Sequence, residues 1–433
     1  PYVGILQSVL GIIDTTNYEY GALFNEINVH TGGIGTSLEL YPDVTKVKEK
    51  EFRATFEMKG KALYPKMDVL FSMMREILIE SKLDDEKRLK EIIAMLRSRL
   101  QMSFLSSGHT TAALRALSYT SPIAKFKDDT DGIGFYEVVK AIEEDFDGHK
   151  EELIRNLKEI SAKIFRADNL MVSYTSAEQG LEPMLAAFGA VRDSLNDHCG
   201  TEAAAGLRTG EGVQAGEGAR TGDLQAAADV DPETACVIHC RKRNEGFKTS
   251  SKVQYVARAG NFIDGGAEYT GALQILKVIL SYDYLWQNIR VKGGAYGCMS
   301  NFNRIGEGYL ISYRDPNLEK TMEIYEGVVD YLENFNVDDR DMNKFIIGTI
   351  SNIDRPMNPA AKGSRSMNLY MNHVTEEMIR EEREQILTAG QSDIRALSKV
   401  LRAMLDAEQI CVIGSEEKIE ECREMFGEVR TLS

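Results

Sequence analysis

The chain has 433 residues, with 51 Lys and Arg against 67 Asp and Glu, for a formal net charge of −16. That balance argues against a nucleic-acid partner and against docking on anionic membranes, because both need clustered cations. Hydrophobic residues make up 43% of the chain, enough for the cores of two or three domains, and no stretch reaches the ~20 apolar residues of a membrane span.

The first segment, Tyr2 to Leu10, reads as the inside of a packed helix. The chain opens at Pro1, so the natural start is expected upstream, together with any targeting signal. Next comes Tyr20-Gly-Ala-Leu-Phe24-Asn-Glu-Ile27-Asn-Val29 before Gly32-Gly33. A strand is expected after Gly32-Gly33-Ile-Gly35, so these glycines are no dinucleotide loop, which would open a helix. Met67, Met73 and Met74 are expected in a core. Asp84-Asp85 opens a helical hairpin, and Asn169 to Tyr174 runs on to Phe188-Gly189.

Residues 200–229 differ from the rest: rich in Gly, Ala, Thr and Glu, without an aromatic residue. Such a composition cannot bury a core and reads as a flexible linker. It divides the chain into residues 1–199 and 230–433. Beyond it, Val253 to Arg258 alternates like a half-buried strand, and Ala272 to Ile289 reads as a buried helix. Gly308 to Tyr313 is a second strand, stopped by Asp315-Pro316, and Lys320 to Phe335 has the apolar spacing of an amphipathic helix.

The two halves repeat one another. Tyr282, Leu285, Trp286, Ile289 and Val291 before Gly293-Gly294 match Tyr20, Leu23, Phe24, Ile27 and Val29 before Gly32-Gly33. Val337-Asp338-Asp339 matches Leu83-Asp84-Asp85, and Gln409 to Gly414 with Phe426-Gly427 matches Asn169 to Tyr174 with Phe188-Gly189. Three blocks in one order point to tandem copies. The expected fold class is α+β: two homologous domains, each a mostly antiparallel sheet with helices packed on one face.

The segment Leu285-Trp286-Gln-Asn-Ile289-Arg290-Val291-Lys292-Gly293-Gly294-Ala295-Tyr296-Gly297 carries the chemistry. A helix stops at the Gly pair and a strand begins near Tyr296. That turn can bring Arg290 and Tyr296 to one rim of the sheet, with no acidic partner nearby in sequence. A guanidinium and a phenol there suit peptide carbonyl oxygens and an oxyanion forming on one.

Other candidates are weaker. His149-Lys-Glu-Glu152-Leu153 and His373-Val-Thr-Glu376-Glu377 begin a His-x-x-Glu-His match but have Leu153 and Glu377 in place of the second His. Neither can offer zinc two imidazoles, so both read as solvated helix residues. Cys236-x-x-His239-Cys240 resembles half a metal site, yet in a strand the two thiols lie about 13 Å apart; core packing is expected. No Gly-x-Ser-x-Gly elbow occurs. Lys362 and Arg365, in the loop expected after Met357, are read as solvated. Six scattered cysteines fit a reducing compartment, a cytoplasmic one first, with an organelle left open.

Leu-Trp-x-x-x-Arg-Val-x-Gly-Gly-Ala-Tyr-Gly resembles the signature of the C-terminal half of insulinase/pitrilysin-family zinc metallopeptidases, in the presequence-protease-like branch. The resemblance implies metallohydrolase-like tandem domains, the third and fourth of four. It also implies that Arg290 and Tyr296 bind substrate and its transition state, in a closed chamber that degrades unstructured oligopeptides. Catalytic water and zinc then belong to an N-terminal half that carries His-x-x-Glu-His, on the same polypeptide or a partner subunit; this chain supplies chamber wall and no zinc ligand. The alternative is a non-catalytic scaffold or peptide-binding subunit derived from such a metalloendopeptidase. It follows that the isolated chain should hold no stoichiometric zinc and cleave no peptide; metal analysis showing one tightly held zinc per chain would overturn this.

Overall fold

A doublet of aspartates starts a long helix in each half, and the reason is local. Asp85 accepts a hydrogen bond from the Arg88 amide (2.9 Å), and Asp338 accepts one from the Asp341 amide (2.8 Å). Each carboxylate satisfies a first-turn N–H that the helix cannot. The computed structural model describes residues 1–199 and 238–432; the linker expected at 200–229 and Cys236 lie outside the described residues.

In the first half, α1 (Tyr2–Val9) and α2 (Tyr20–His30) lead into an antiparallel hairpin of β1 (Ile34–Pro42) and β2 (Phe52–Gly60). Then follow α3 (Met67–Ile79), α4 (Glu86–Leu117), α5 (Pro122–Asp131), α6 (Ile133–Glu144), α7 (Phe146–Ile164) and α8 (Leu181–Cys199). The second half begins with β3 (Glu245–Thr249), β4 (Tyr255–Asn261), α9 (Ala272–Tyr282), β5 (Gly297–Phe302) and β6 (Glu307–Tyr313). It continues through α10 (Glu319–Glu326), α11 (Val328–Glu333), α12 (Asp339–Ile353), α13 (Pro359–Met371), α14 (Glu376–Thr388) and α15 (Gln391–Leu405). It ends with β7 (Gln409–Ser415), α16 (Glu416–Glu421) and β8 (Glu428–Thr431). The class is α+β, as expected. Among the described residues no helix is long and apolar enough to cross a membrane.

The six strands of the second half form one sheet in the order β5-β6-β4-β7-β3-β8. Pairing is antiparallel from β5 to β7, then parallel for β7-β3 and β3-β8. The two sheets are unequal in size. In the first half the described residues pair only as the β1–β2 hairpin. Residues 170–172, counterparts of β7 by the sequence repeat, are extended without a ladder and leave Leu170, Met171 and Val172 exposed.

The large sheet lies between two cores. Val256, Leu310, Ile410 and Val412 face a core built with α9, α11 and α15. Tyr255, Ala257, Ala259, Ile311, Cys411 and Ile413 face a second core, built mainly by first-half helices. Strand β4 is therefore buried along its whole length. This corrects the half-buried strand read from its alternation: the outward face is covered by α4, which alternation within β4 cannot register. The single helix expected over 320–335 is also divided, into α10 and α11 at Gly327. A Cβ there would stand 2.6 Å from the Tyr284 hydroxyl, which donates to the Ile324 carbonyl (2.8 Å).

Where α4 crosses the sheet, a buried ion cluster joins the halves. Arg115 donates from Nε and Nη2 to the two oxygens of Glu245 (2.6 and 2.9 Å) and from Nη1 to Asp128 (2.6 Å). Arg430 donates to Glu245 from the far side (2.6 Å), and the amides of Ile133 and Gly134 donate to Asp128 (3.1 and 3.2 Å). Burial favours the neutral form of both acids. At Glu245 the guanidiniums of Arg115 and Arg430 overcome burial and hold the carboxyl below its usual range. At Asp128, more deeply enclosed, burial wins against Arg115 and the carboxyl is raised.

Arg115→Ala leaves Glu245 and Asp128 buried without their shared cation. It should destabilise the fold by roughly 3–5 kcal/mol, read as a lower urea midpoint at neutral pH. The pH dependence separates the two acids. The lowered Glu245 contributes stability fully above the ordinary carboxylate range and loses it as pH falls through its folded value. The raised Asp128 acts oppositely, its contribution fading as pH rises through its folded value. Glu245→Gln should therefore flatten the acid side of the stability profile; an unchanged acid limb would show that Glu245 is not the group titrating there.

Candidate functional site

After α9 the chain breaks at Asp283, whose backbone leaves the helical region, and resumes as a π-helical turn over Trp286–Val291. The buried Leu285 and Ile289 anchor this turn to the core behind it. The wider turn leaves Trp286 and Arg290 stacked, with the guanidinium carbon 4.0 Å from the indole centroid. Glycines then reverse the chain. Gly294 has φ +82, a left-handed conformation that a side chain strains, and its amide donates to the Arg290 carbonyl (2.9 Å). Gly33, the second Gly of the matching pair in the first half, also has positive φ (+108). The pair is a sharp turn in both copies.

The reversal delivers Tyr296 to the rim just before β5. Its amide donates to the carbonyls of Tyr313 (3.1 Å) and Arg314 (3.3 Å), which fixes its backbone on β6. The ring stands on that of Tyr313 edge to face (centroids 5.6 Å, 72°) and is 66% exposed. Arg290 lies 5.8 Å from the same ring. The structure thus brings together the two residues singled out in the sequence. They line an open cleft of about 460 Å³ with Val291, Gly294, Ala295 and Arg314. Among the described residues no carboxylate forms an ion pair with Arg290 or Arg314. Lys292, on the same turn, is exposed and donates to Asn288 (3.2 Å).

Four further residues at the site carry no motif in the sequence. Arg314 directly follows β6 with φ +48 and projects over the Tyr313 ring (5.4 Å). Tyr255, on the neighbouring β4, stacks obliquely on Tyr313 (5.7 Å) and donates its hydroxyl to the Leu105 carbonyl. His109 comes from α4, in the other half of the chain, and meets Tyr313 at 4.7 Å. Burial lowers the His109 pKa, so the ring is neutral at pH 7. A kink at Ser107 breaks α4 just before it (φ −129, ψ 26), and Gly108 presses against Tyr255. The platform under Tyr296 is therefore built from both halves. Only its outer rim was visible as a pattern, because the supporting rings are distant in sequence.

The partial zinc motifs do not converge. Leu153, where a second His is needed after His149, is fully buried in the first-half core. His373 follows α13 with φ +56 and pairs with Asp43 (3.2 Å). Cys240 is half-buried and His239 exposed. Among the described residues no group of three or more His, Cys, Asp or Glu could hold a metal ion. Lys362 and Arg365 are exposed, on α13 itself rather than in a loop before it. The helix starts earlier because Pro359 suits its first turn and Asn358 caps it.

Comparison with known proteins places these features. The family model for the domain associated with subfamily C of the M16 peptidases matches residues 1–142, and that described as PreP C-terminal domain matches residues 244–416. Protein HypA of Clostridium perfringens is 33% identical over 432 residues, covering 100% of this chain and 41% of that protein. Presequence protease 1, chloroplastic/mitochondrial, of Arabidopsis thaliana is 27% identical over 422 residues, covering 97% of this chain and 36% of that protein. The chain thus spans well under half the length of these curated relatives. The solved peptidase M16 inactive domain from Pseudomonas fluorescens shares the fold (TM-score 0.54, 12% identity, 95% of this chain and 88% of that one).

The packing of Gly108 is open to a direct test. A Cβ there would stand 2.3 Å from Tyr255 Cδ2, in the buried layer under the site. Gly→Ala inside a helix gains up to about 1 kcal/mol from backbone entropy, whereas overpacking costs roughly 1–3 kcal/mol. Gly108→Ala should therefore be net destabilising in thermal unfolding. A more stable variant would show that α4 does not approach the sheet this closely.

Proposed function

The chain belongs to the M16 peptidase family, in its presequence-protease-like branch, and from that membership we propose that it is the C-terminal, non-zinc half of a metalloendopeptidase that degrades unstructured oligopeptides in a closed chamber. One observation carries the proposal. Arg290, braced on Trp286, and the exposed Tyr296 face one cleft with no carboxylate to neutralise the guanidinium. The zinc and its ligands would belong to the N-terminal half, where the metal would activate the water nucleophile.

The contribution of this chain is electrostatic and positional. The Arg290 guanidinium is a forked, charged donor and the Tyr296 hydroxyl a neutral one. Aimed at a peptide carbonyl, both bonds strengthen as charge develops on its oxygen. A donor so placed contributes roughly 10²–10³ in turnover. Preorganisation comes from the fold: the π-helical turn and Trp286 hold the guanidinium, and the bonds to β6 hold Tyr296. The concave wall around them would admit an extended peptide and exclude a folded protein.

In the full-length enzyme, Arg290→Ala and Tyr296→Phe should each reduce kcat for an unstructured peptide strongly, with thermal unfolding unchanged. Tyr296→Phe removes only a hydroxyl, so its loss reports a hydrogen bond. If both donors serve one oxygen, the double variant loses less than the product of the single effects. Lys292→Ala should be near neutral, since its ammonium reaches only Asn288. Unchanged turnover in both single variants would show that Arg290 and Tyr296 are structural.

A further inference from the structure

The cleft holds two guanidiniums, and only Arg290 belongs to the motif. The second, Arg314, lies immediately after β6, beside the backbone that receives the Tyr296 amide. Arg290 lies over the indole of Trp286 and near the Tyr296 ring, Arg314 over Tyr313, and the two tyrosines touch edge to face. Both cations therefore flank one aromatic pair at the mouth of one cleft.

Nearby arginines are neutralised. Arg258 is paired with Glu326, Arg304 with Glu382 and Arg383 with Asp354. Among the described residues neither Arg290 nor Arg314 has such a partner, in a chain with a surplus of acidic groups. The polar neighbour of Arg314 is the hydroxyl of Tyr255, which burial keeps protonated and uncharged. The backbone adds an independent observation. Arg314 sits at φ +48, where a glycine would be unstrained, and this conformation turns the side chain over the Tyr313 ring at the cleft rather than along the strand.

We propose that Arg314 is a second substrate-binding cation, which with Arg290 holds a carboxylate of the bound peptide beside the Tyr296 ring. Guanidinium forks match carboxylate oxygens, and an aromatic floor limits the water competing for them. The net charge of −16 repels polyanions at long range, so the pair selects the position of a single carboxylate within a peptide. That carboxylate is either an Asp or Glu side chain or the C-terminus of the chain being cleaved. The inference rests on the peptide-binding function proposed above.

Trp286, the only tryptophan in the chain, lies under Arg290 and reports occupancy of the cleft by its emission. Three N-acetylated, unstructured decapeptides serve as probes for titration of the 433-residue chain. One has a central Glu and an amidated C-terminus, one a Gln and a free C-terminal carboxylate, and one a Gln and an amidated C-terminus. At least one carboxylate peptide should bind roughly three- to tenfold more tightly than the neutral one, and the preference should shrink at high salt. Arg314→Gln should abolish the preference while leaving the neutral peptide unaffected. Arg314→Lys, which keeps the charge but loses the fork, should retain part of it, with thermal unfolding checking that both variants fold. Preference for the Glu peptide identifies a side-chain carboxylate, and preference for the free terminus identifies the C-terminus. Equal binding of all three peptides by the native chain, or a preference unchanged in Arg314→Gln, overturns the inference and leaves peptide binding standing. No change in Trp286 emission with any peptide at millimolar concentration overturns both.

Discussion

The bidentate contact between Arg115 on α4 and Glu245 at the start of β3 is the interaction on which the rest of the arrangement depends. Three buried charges meet there, with Asp128 on the opposite side of the guanidinium. Charges taken from water are tolerated only when their geometry and hydrogen bonding are nearly complete. That demand leaves α4 little freedom to slide or rotate on the sheet. Around the cluster the seam is polar and specific: Tyr119 receives the Glu245 amide and donates to the Ile410 carbonyl, and Gln409 donates to Thr120. An apolar seam would stabilise equally well but would specify register less tightly.

Fixing α4 has a consequence at the other end of the helix. Gly108, Ala112 and Ala116 recur every four residues and are buried, so the helix approaches the sheet closely along one stripe. Gly108 then meets Tyr255, His109 meets Tyr313, and Tyr313 supports Tyr296. The cleft of the second half is thus floored by rings that the first half holds in place. Loosening the ion cluster would disturb the site through packing, although no charged group of the cluster lies in the cleft.

The internal repeat shows what the fold requires and what it leaves free. Both copies keep the positive-φ glycine, because the turn requires it whatever follows. Where the second copy has Arg290 and Tyr296, the first has Asn28 and Gly35. Asn28 bonds back to the Phe24 carbonyl of its own helix (2.8 Å), and Gly35 offers no side chain. One scaffold therefore serves as a wall in the first half and as a substrate-facing rim in the second. Arg290 and Tyr296 are dispensable for the turn, which makes their presence in the second copy informative about function.

The sequence by itself determined the features with local causes. The aspartate doublets fixed two helix starts, the Gly pairs two turns, the apolar spacing the α+β class, and the motif at 285–297 the two residues at the rim. The missing second imidazole after His149 was equally legible, since Leu153 can only be core. Tertiary structure alone decided what depends on distant partners. Strand β4 is buried on both faces because a helix from the other half covers it. The helix expected at 320–335 divides because Tyr284 reaches the Ile324 carbonyl. Arg314, Tyr255, Tyr313 and His109 join the site because chain crossings superpose residues from positions 109 to 314. A linear pattern registers periodicity and short spacing; it holds no record of which faces meet across a sheet, and that meeting is what made a cleft out of one motif.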